Sequence, residues 1–424
     1  MTKLKLHWQI LIAIALAVAA GSLFGADAGI AGIPLLSAYD FVGTMFLNAL
    51  RMLIVPLIVS SIVTGVAGLG TGQDLGRLGL RTGVYYIASS LLAILLGLLA
   101  VNLVRPGIVD GVPAGQILGL DAATSEVMAD VQGRGAGDIA ALFLRMIPVN
   151  IVAAAAEGEM LGLIFFSILF GYFVNRIPSD FGATVTRFAG GVFEVMMRIT
   201  MWVMRFTPIG VFGLVASEVA ETGFDAFRPL LVFFFTVLFS LLGHALVTLP
   251  LLLWLVGRVQ PWRHYRAMSP AMLTAFSTAS SSATLPLTME CVEKNAGVST
   301  RVTSFVLPLG ATVNMDGTAL YECVAAVFLA QAYGLQLGFV EQFTVVFVAL
   351  VTSIGVAGIP AASLVAITII LSAIGLPVEA VGLILVTDRI LDMVRTSINV
   401  FSDSCGAVII ARLEGETRIL GTEA

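Results

Sequence analysis

Charge is scarce in this 424-residue chain. Asp, Glu, Lys and Arg make up 12% of it, against 58% hydrophobic residues and a mean hydropathy of +1.01. A soluble domain carries roughly 25% charged residues, so there is too little polar surface here to clothe a core in water. That excludes a soluble enzyme, a nucleic-acid binder and a secreted disulfide scaffold, and it requires lipid as the outer solvent. Cysteine is nearly absent: Cys291, Cys323 and Cys405 are odd in number and far apart, so neither a disulfide framework nor a zinc site is expected. Lysine occurs only at Lys3, Lys5 and Lys294, none after a glycine, which excludes a Walker A loop. HExxH and GxSxG are missing, and His7, His244 and His264 are widely separated, so metal or triad chemistry has little to work with. No enzyme and no resident cofactor are expected. The net charge of −5 points to no particular partner.

Long apolar runs are abundant. A spanning helix needs about 20 apolar residues, and candidates are Trp8–Phe24, Phe41–Leu69, Thr82–Val104, Leu142–Val174, Gly190–Val219, Leu230–Val256, Phe305–Tyr333, Phe343–Ala373 and Leu383–Ala411. The first, behind Lys3 and Lys5, reads as an uncleaved helix rather than a signal peptide. Charges in the linkers alternate: one set of linkers holds 13 basic residues and the other holds 3, namely Arg105, Arg134 and Arg228. The positive-inside rule then makes the first set cytoplasmic, with both termini. Two apolar stretches are broken, Met268–Met289 by Ser277 to Thr284 and Phe343–Ala373 by Gly355 to Ser363, leaving pieces too short to cross. They read as re-entrant hairpins meeting inside the membrane, the paired interruption expected of inverted repeats around a midplane site.

The remaining charges are concentrated. Asp388, Asp392, Arg395, Asn399 and Asp403 are spaced 4, 3, 4 and 4, an arc of roughly 80° on one helix face. Each membrane-embedded charge costs on the order of 3 kcal/mol, and three carboxylates against one guanidinium leave room for bound cations. Arg395 offers a rigid fork to a carboxylate, Asp392 suits an ammonium, and Asn399 and Asp403 are hard oxygen ligands suited to sodium. Upstream, Pro308, Gly310 and Gly317 bracket Asn314, Asp316 and Thr318, predicting an unwound stretch with inward carbonyls. Glu322 on the same face is either a proton carrier or a neutral, hydrogen-bonded acid. Arg51, Glu194, Arg198 and Arg205 read as snorkelling residues near helix ends, and Tyr85-Tyr86 as an aromatic interface anchor.

Four ordered motifs then carry a resemblance: Ser280-Ser281-Ser282-Ala283-Thr284-Leu285-Pro286, Asn314-Met315-Asp316-Gly317-Thr318, the Gly355–Pro360 tip, and the stripe from Asp388 to Asp403. Together they resemble the dicarboxylate/amino acid:cation symporters, which include the excitatory amino acid transporters and archaeal aspartate transporters. Pro208 to Phe212 is similar to that family's fifth helix. The likeness covers nearly the whole chain and is most specific from Ala267 onward.

The resemblance implies an all-α polytopic membrane protein, a homotrimer in a lipid bilayer, with eight transmembrane helices, two re-entrant hairpins and a transport domain that moves against a scaffold. Residues 1–69 would be scaffold helices 1 and 2, 82–104 helix 3 of the transport domain, and 139–256 helices 4 to 6. Residues 267–290 would be hairpin 1, 304–333 helix 7, 339–376 hairpin 2 acting as the gate, and 381–412 helix 8. The substrate would meet backbone at Ala279, Ser281 and Ile359, and the side chains of Thr318, Asp392, Arg395, Thr396 and Asn399. Sodium would use Gly310, Asn314, Asn399 and Asp403 at one site and carbonyls of Thr312, Ser353, Ile354 and Val356 at another. A third would take Tyr86, Ser89, Ser90, Asn314 and Asp316. Within the family, Asp392 together with Arg395 favours aspartate or glutamate, and Asp403 favours sodium over proton-only coupling. Glu322, where archaeal members carry glutamine, and Ala279, where they carry arginine, follow the eukaryotic pattern and raise proton co-transport or potassium counter-transport. The expectation is a multi-pass inner or plasma membrane symporter. The alternatives are a proton-coupled C4-dicarboxylate or glutamate symporter and a passive anion channel.

Overall fold

The fold follows from where apolar helices can close on one another and where glycine, proline and buried polar groups interrupt them. A computed structural model describes residues 6–25, 28–30, 33–67, 73–115, 117–118, 144, 146–157, 160–222, 227–355 and 362–421. In chain order the helices are α1 (Leu6–Phe24), α2 (Leu35–Ala67), α3 (Gln73–Val104), α4 (Ile151–Glu157), α5 (Met160–Val174), α6 (Ser179–Val203), α7 (Thr207–Thr222) and α8 (Phe227–Gly243). They continue as α9 (Leu249–Leu255), α10 (Pro261–Thr278), α11 (Ser281–Glu290), α12 (Thr300–Val313), α13 (Asp316–Ala332), α14 (Phe339–Gly355), α15 (Ala362–Ile374) and α16 (Val381–Leu413). Among the described residues, β-ladders are limited to two antiparallel two-residue pairs, Gly29–Ile30 with Ile33–Pro34 and Ile108–Val109 with Val112–Pro113, besides an isolated bridge at Ile419.

Three of these stretches are long and apolar enough to cross a membrane: Arg77–Val104, Arg228–Leu255 and Thr300–Ala332. A fourth is obtained if α6 and α7, bent by 55°, count as one. The single span expected at Gly190–Val219 is therefore a bent pair joined by a 3₁₀ turn over Met204–Phe206. Leu142–Val174 is likewise divided, into α4 and α5. Large apolar side chains such as Leu16, Leu23, Phe188 and Phe239 lie exposed around the perimeter, as lipid-facing positions must.

Two groups of helices emerge. In the first, α1 and α2 pack on α7, and α2 also packs on α5 and α6. Small residues bring these backbones together: a Cβ on Gly213 would lie 2.7 Å from Tyr39 O, and one on Gly21 would lie 2.9 Å from Ala216 O. In the second, α16 and α13 form the centre, enclosed by α3, α8, α10, α12, α14 and α15. Every residue of α13 from Asp316 to Ala330 is buried, as expected of a helix apolar on nearly all sides.

Breaks in this second group set the site. α10 and α11 form a hairpin turning at only Ala279 and Ser280. Ala279 takes a left-handed φ of 49°, and Ser280 caps α11 by accepting from Ala283 N. The serine run is otherwise helical, narrower than the break expected from Ser277 to Thr284, because Ser277 and Thr278 hydroxyls bond to carbonyls one turn back. α12 and α13 separate only at Asn314 and Met315, so Asp316, Gly317 and Thr318 open α13 instead of lying in a long unwound loop. α14 and α15 are the arms of the second hairpin, whose tip at 356–361 lies outside the described residues.

Beyond the C-terminal end of α3, Asp110 and Gly111 both take positive φ in the turn joining the second ladder. Both Nη atoms of Arg228 on α8 donate to the Asp110 carboxylate, at 2.8 and 3.0 Å. That guanidinium holds the Asp110 carboxyl below the usual carboxylate range.

Candidate functional site

The polar residues predicted from sequence divide into two constellations along α16. In the first, Arg395 Nη2 lies 3.0 Å from both Asp388 Oδ1 and Asp392 Oδ1. Its Cζ sits 3.9 Å over the Tyr321 ring of α13, a stacking geometry that suits a guanidinium. Asp392 Oδ2 is in turn 3.3 Å from Arg389 Nη1. Arg389 was absent from the sequence reading, and it corrects the charge count. The ladder Asp388, Arg389, Asp392, Arg395 is neutral by itself and needs no cation to complete it. Arg395 is 1% exposed, yet its Nε and Nη1 have no hydrogen-bond partner among the described residues. A buried guanidinium with two idle donors is costly unless a ligand supplies acceptors.

In the second constellation, no guanidinium among the described residues compensates the charge. Asp316 and Asp403 are both buried. Asp403 Oδ1 accepts from Asn314 Nδ2 at 2.9 Å, and the same nitrogen reaches Ser402 Oγ at 3.1 Å. Asp316 accepts from Ser90 Oγ at 2.7 Å and from Ser402 Oγ at 2.6 Å, and Ser89 Oγ lies 3.3 Å away. Tyr86 donates to Val306 O at 2.7 Å, and Tyr85 to Ser402 O at 3.0 Å. Both tyrosines are buried, so they are not the interface anchor their sequence position suggested. Gly310 belongs here because nothing larger fits: a Cβ would lie 2.5 Å from Asp403 Oδ1 and 2.6 Å from Tyr86 Oη.

Asn399 joins the two constellations. Its Oδ1 accepts from Gly317 N at 2.8 Å, and its Nδ2 donates to Thr318 Oγ1 at 3.1 Å. Gly317 permits this approach, since a Cβ there would meet Arg395 O at 3.0 Å. Thr396 is buried one residue after Arg395, and Ser281 is buried at the start of α11. Both arms of that hairpin pack on α16, and Ser397 Oγ fastens the first by donating to Met272 O at 3.1 Å. Among the described residues, the Thr312 and Ser353 hydroxyls bond locally, to Leu309 O and Leu350 O, and Ile354 is in the last turn of α14. Val356 and Ile359 lie outside the described residues. Glu322 is buried with Oε2 3.0 Å from the Thr352 hydroxyl, and its Oε1 has no partner among the described residues. Glu194 and Arg198 are an exposed i,i+4 pair, and Arg205 is exposed.

His244 was also missed. Its Nε2 lies 3.1 Å from Asp316 Oδ2, both groups fully buried. The ring is delivered by a π-helical turn, His244–Thr248, that ends where Leu249 N bonds back to His244 O and just before Pro250. Proline cannot donate in a regular α-helix, and a widened turn accommodates it. A lone histidine in an apolar span was itself a signal. Chemically, one constellation offers idle donors to an anion, and the other offers two carboxylates, an amide and hydroxyls to a hard monovalent cation.

Comparison with known proteins shows what the whole chain is similar to. Residues 6–413 match the sodium:dicarboxylate symporter family. The chain is 35% identical over 412 residues to a proton/glutamate-aspartate symporter of Escherichia coli (strain K12), covering 97% of this chain and 93% of that protein. It is 35% identical over 418 residues to a proton/sodium-glutamate symport protein of Geobacillus stearothermophilus, covering 98% and 96%. It is 36% identical over 429 residues to human excitatory amino acid transporter 3, covering 88% and 79%.

Proposed function

Because this chain belongs to the sodium:dicarboxylate symporter family and is a transporter, not an enzyme, we propose that it is a sodium-coupled symporter of aspartate or glutamate. The observation that carries the reading is the presence, on one bundle, of two idle Arg395 donors and two carboxylates, Asp316 and Asp403, that have no guanidinium partner among the described residues. The substrate's side-chain carboxylate takes Arg395 Nε and Nη1, its ammonium takes Asp392, and its main-chain carboxylate meets backbone at Ala279 and Ser281. Thr318, Thr396, Asn399 and Ile359 complete the enclosure.

Sodium ions take Gly310, Asn314, Asn399 and Asp403; Tyr86, Ser89, Ser90, Asn314 and Asp316; and the carbonyls of Thr312, Ser353, Ile354 and Val356. Electrostatics couples the two cargoes. An acidic amino acid brings a net negative charge toward two buried carboxylates, so bound cations raise its affinity and it raises theirs. The group around α13 and α16 moves as the transport domain against the group around α2, with the second hairpin as gate. The protein works as a homotrimer with eight spans and cytoplasmic termini. Glu322 carries the proton, or sets the potassium response, of the return step.

Calorimetry on the purified protein tests the binding step. Aspartate is expected to bind at least ~10-fold more tightly in sodium than in choline, and Arg395→Cys to abolish binding of both acidic amino acids. Equal affinity in the two salts, or undiminished binding by the variant, contradicts the reading. A Glu322→Gln variant that still responds to proton or potassium gradients removes Glu322 from the return step.

A further inference from the structure

The charge ladder on α16 contains one member that a zwitterion-binding site does not require. Arg389 precedes Asp392 by three residues, is 14% exposed, and places Nη1 3.3 Å from Asp392 Oδ2. The other carboxylate oxygen, Oδ1, is already held by Arg395 Nη2 at 3.0 Å. Both Asp392 oxygens therefore have a guanidinium partner before any substrate arrives. Arg389 Nε is buried with no partner among the described residues.

We propose that Arg389 is a specificity-determining residue that acts through Asp392, standing in for the ammonium of the substrate and admitting dicarboxylates that lack one. The inference rests on the reading of this site as an acidic amino acid site. A site that binds an ammonium with a lone buried carboxylate rejects the desamino analogue by about 10⁴- to 10⁵-fold, because the carboxylate is left unpaired. Here it is not left unpaired. Succinate, with two carboxylates and no ammonium, leaves the Arg389–Asp392 pair intact and still engages Arg395. Aspartate must compete with Arg389 for Asp392 Oδ2. The two effects act in the same direction and narrow the preference for the amino acid.

Calorimetric titration of the full-length purified protein in sodium, with aspartate and with succinate, tests this. In the unmodified protein the two affinities are expected to lie within about 100-fold. In Arg389→Gln the ratio is expected to widen at least ~10-fold, through weaker succinate binding and slightly tighter aspartate binding. Arg389→Lys should restore the ratio, which a purely structural role for the arginine would not require. Asp392→Asn should weaken aspartate while sparing succinate, which keeps the test open if the glutamine variant does not fold. The same ratio in Arg389→Gln as in the unmodified protein, or rejection of succinate by 10⁴-fold or more with Arg389 present, overturns the inference while leaving the amino acid reading standing. No binding of aspartate, glutamate or succinate overturns both.

Discussion

Single side chains set how closely the polar groups along α16 are approached. Gly310 is the sharpest case, because the backbone there is approached by a carboxylate and a phenol at once. A Gly310→Ala variant puts a methyl 2.5 Å from Asp403 Oδ1 and 2.6 Å from Tyr86 Oη. It is expected to raise the sodium concentration needed for half-maximal aspartate binding by about 10-fold or more, while leaving the fold intact by circular dichroism. Unchanged sodium dependence would place the cation elsewhere. At this scale the sequence was most informative where residue types recur at helical spacing: Asp388, Asp392, Arg395, Asn399 and Asp403 were legible as one face. Arg389 was not, because it lies about 100° from Asp388 on that helix and reaches Asp392 only through a long flexible side chain. Asn314, Asp316 and Gly310 were legible as breakers and oxygen donors. That Ser402 and His244 would meet Asp316 from two other elements has no trace in linear spacing, and Ser90 was set beside Asp316 by resemblance alone.

Helices and their ends show what composition can and cannot reveal. Spans α3 and α12–α13 were readable as apolar runs, whereas the 55° bend between α6 and α7 was marked by little more than Arg205; the division of α4 from α5 did leave a trace, Glu157-Gly158-Glu159 within the apolar run. The hairpin turn at Ala279 was narrower than its serine content implied, because serine and threonine satisfy their hydroxyls on the preceding turn and remain helical. The end of α16 is held by charge. Glu414 receives Arg77 Nη2 at 2.9 Å and Arg81 Nη1 at 2.6 Å, and Arg81 also reaches Leu413 O. These arginines tie the start of α3 to the end of α16 and hold the Glu414 carboxyl below its ordinary value near 4.5. A lowered carboxyl pKa means that the folded state prefers the charged form, so the contribution is full above pH 4.5 and fades as pH falls through the lowered value. Glu414→Gln is therefore expected to lower stability by about 1 kcal/mol at pH 7. In thermal unfolding, the gap from the unmodified protein should close as pH drops below 4.5. A gap that persists or widens in acid would contradict the pairing.

Across the whole molecule, the scarcity of charge identified a membrane protein, and the position of the remainder carries the proposal for its cargo. The division into two packed groups was implied by resemblance alone. Nothing in hydropathy separates α2, which packs on α5, α6 and α7, from α3, which packs on α13. The proposed sliding of one group past the other would make their contact a place to stop transport. Gly65 on α2 faces Thr312 on α12, where a Cβ on the glycine would lie 3.9 Å from Thr312 Oγ1. Oxidising a Gly65→Cys, Thr312→Cys pair should block uptake and reduction should restore it, with Cys291, Cys323 and Cys405 buried and uninvolved. Full activity of the oxidised pair would rule out relative motion at that contact. The most direct test of the account is uptake of labelled aspartate and glutamate into proteoliposomes, with sodium, proton and potassium gradients imposed one at a time. Accumulation against a gradient only when sodium is directed inward is the predicted result; equal accumulation without sodium, on a proton gradient alone, would contradict it.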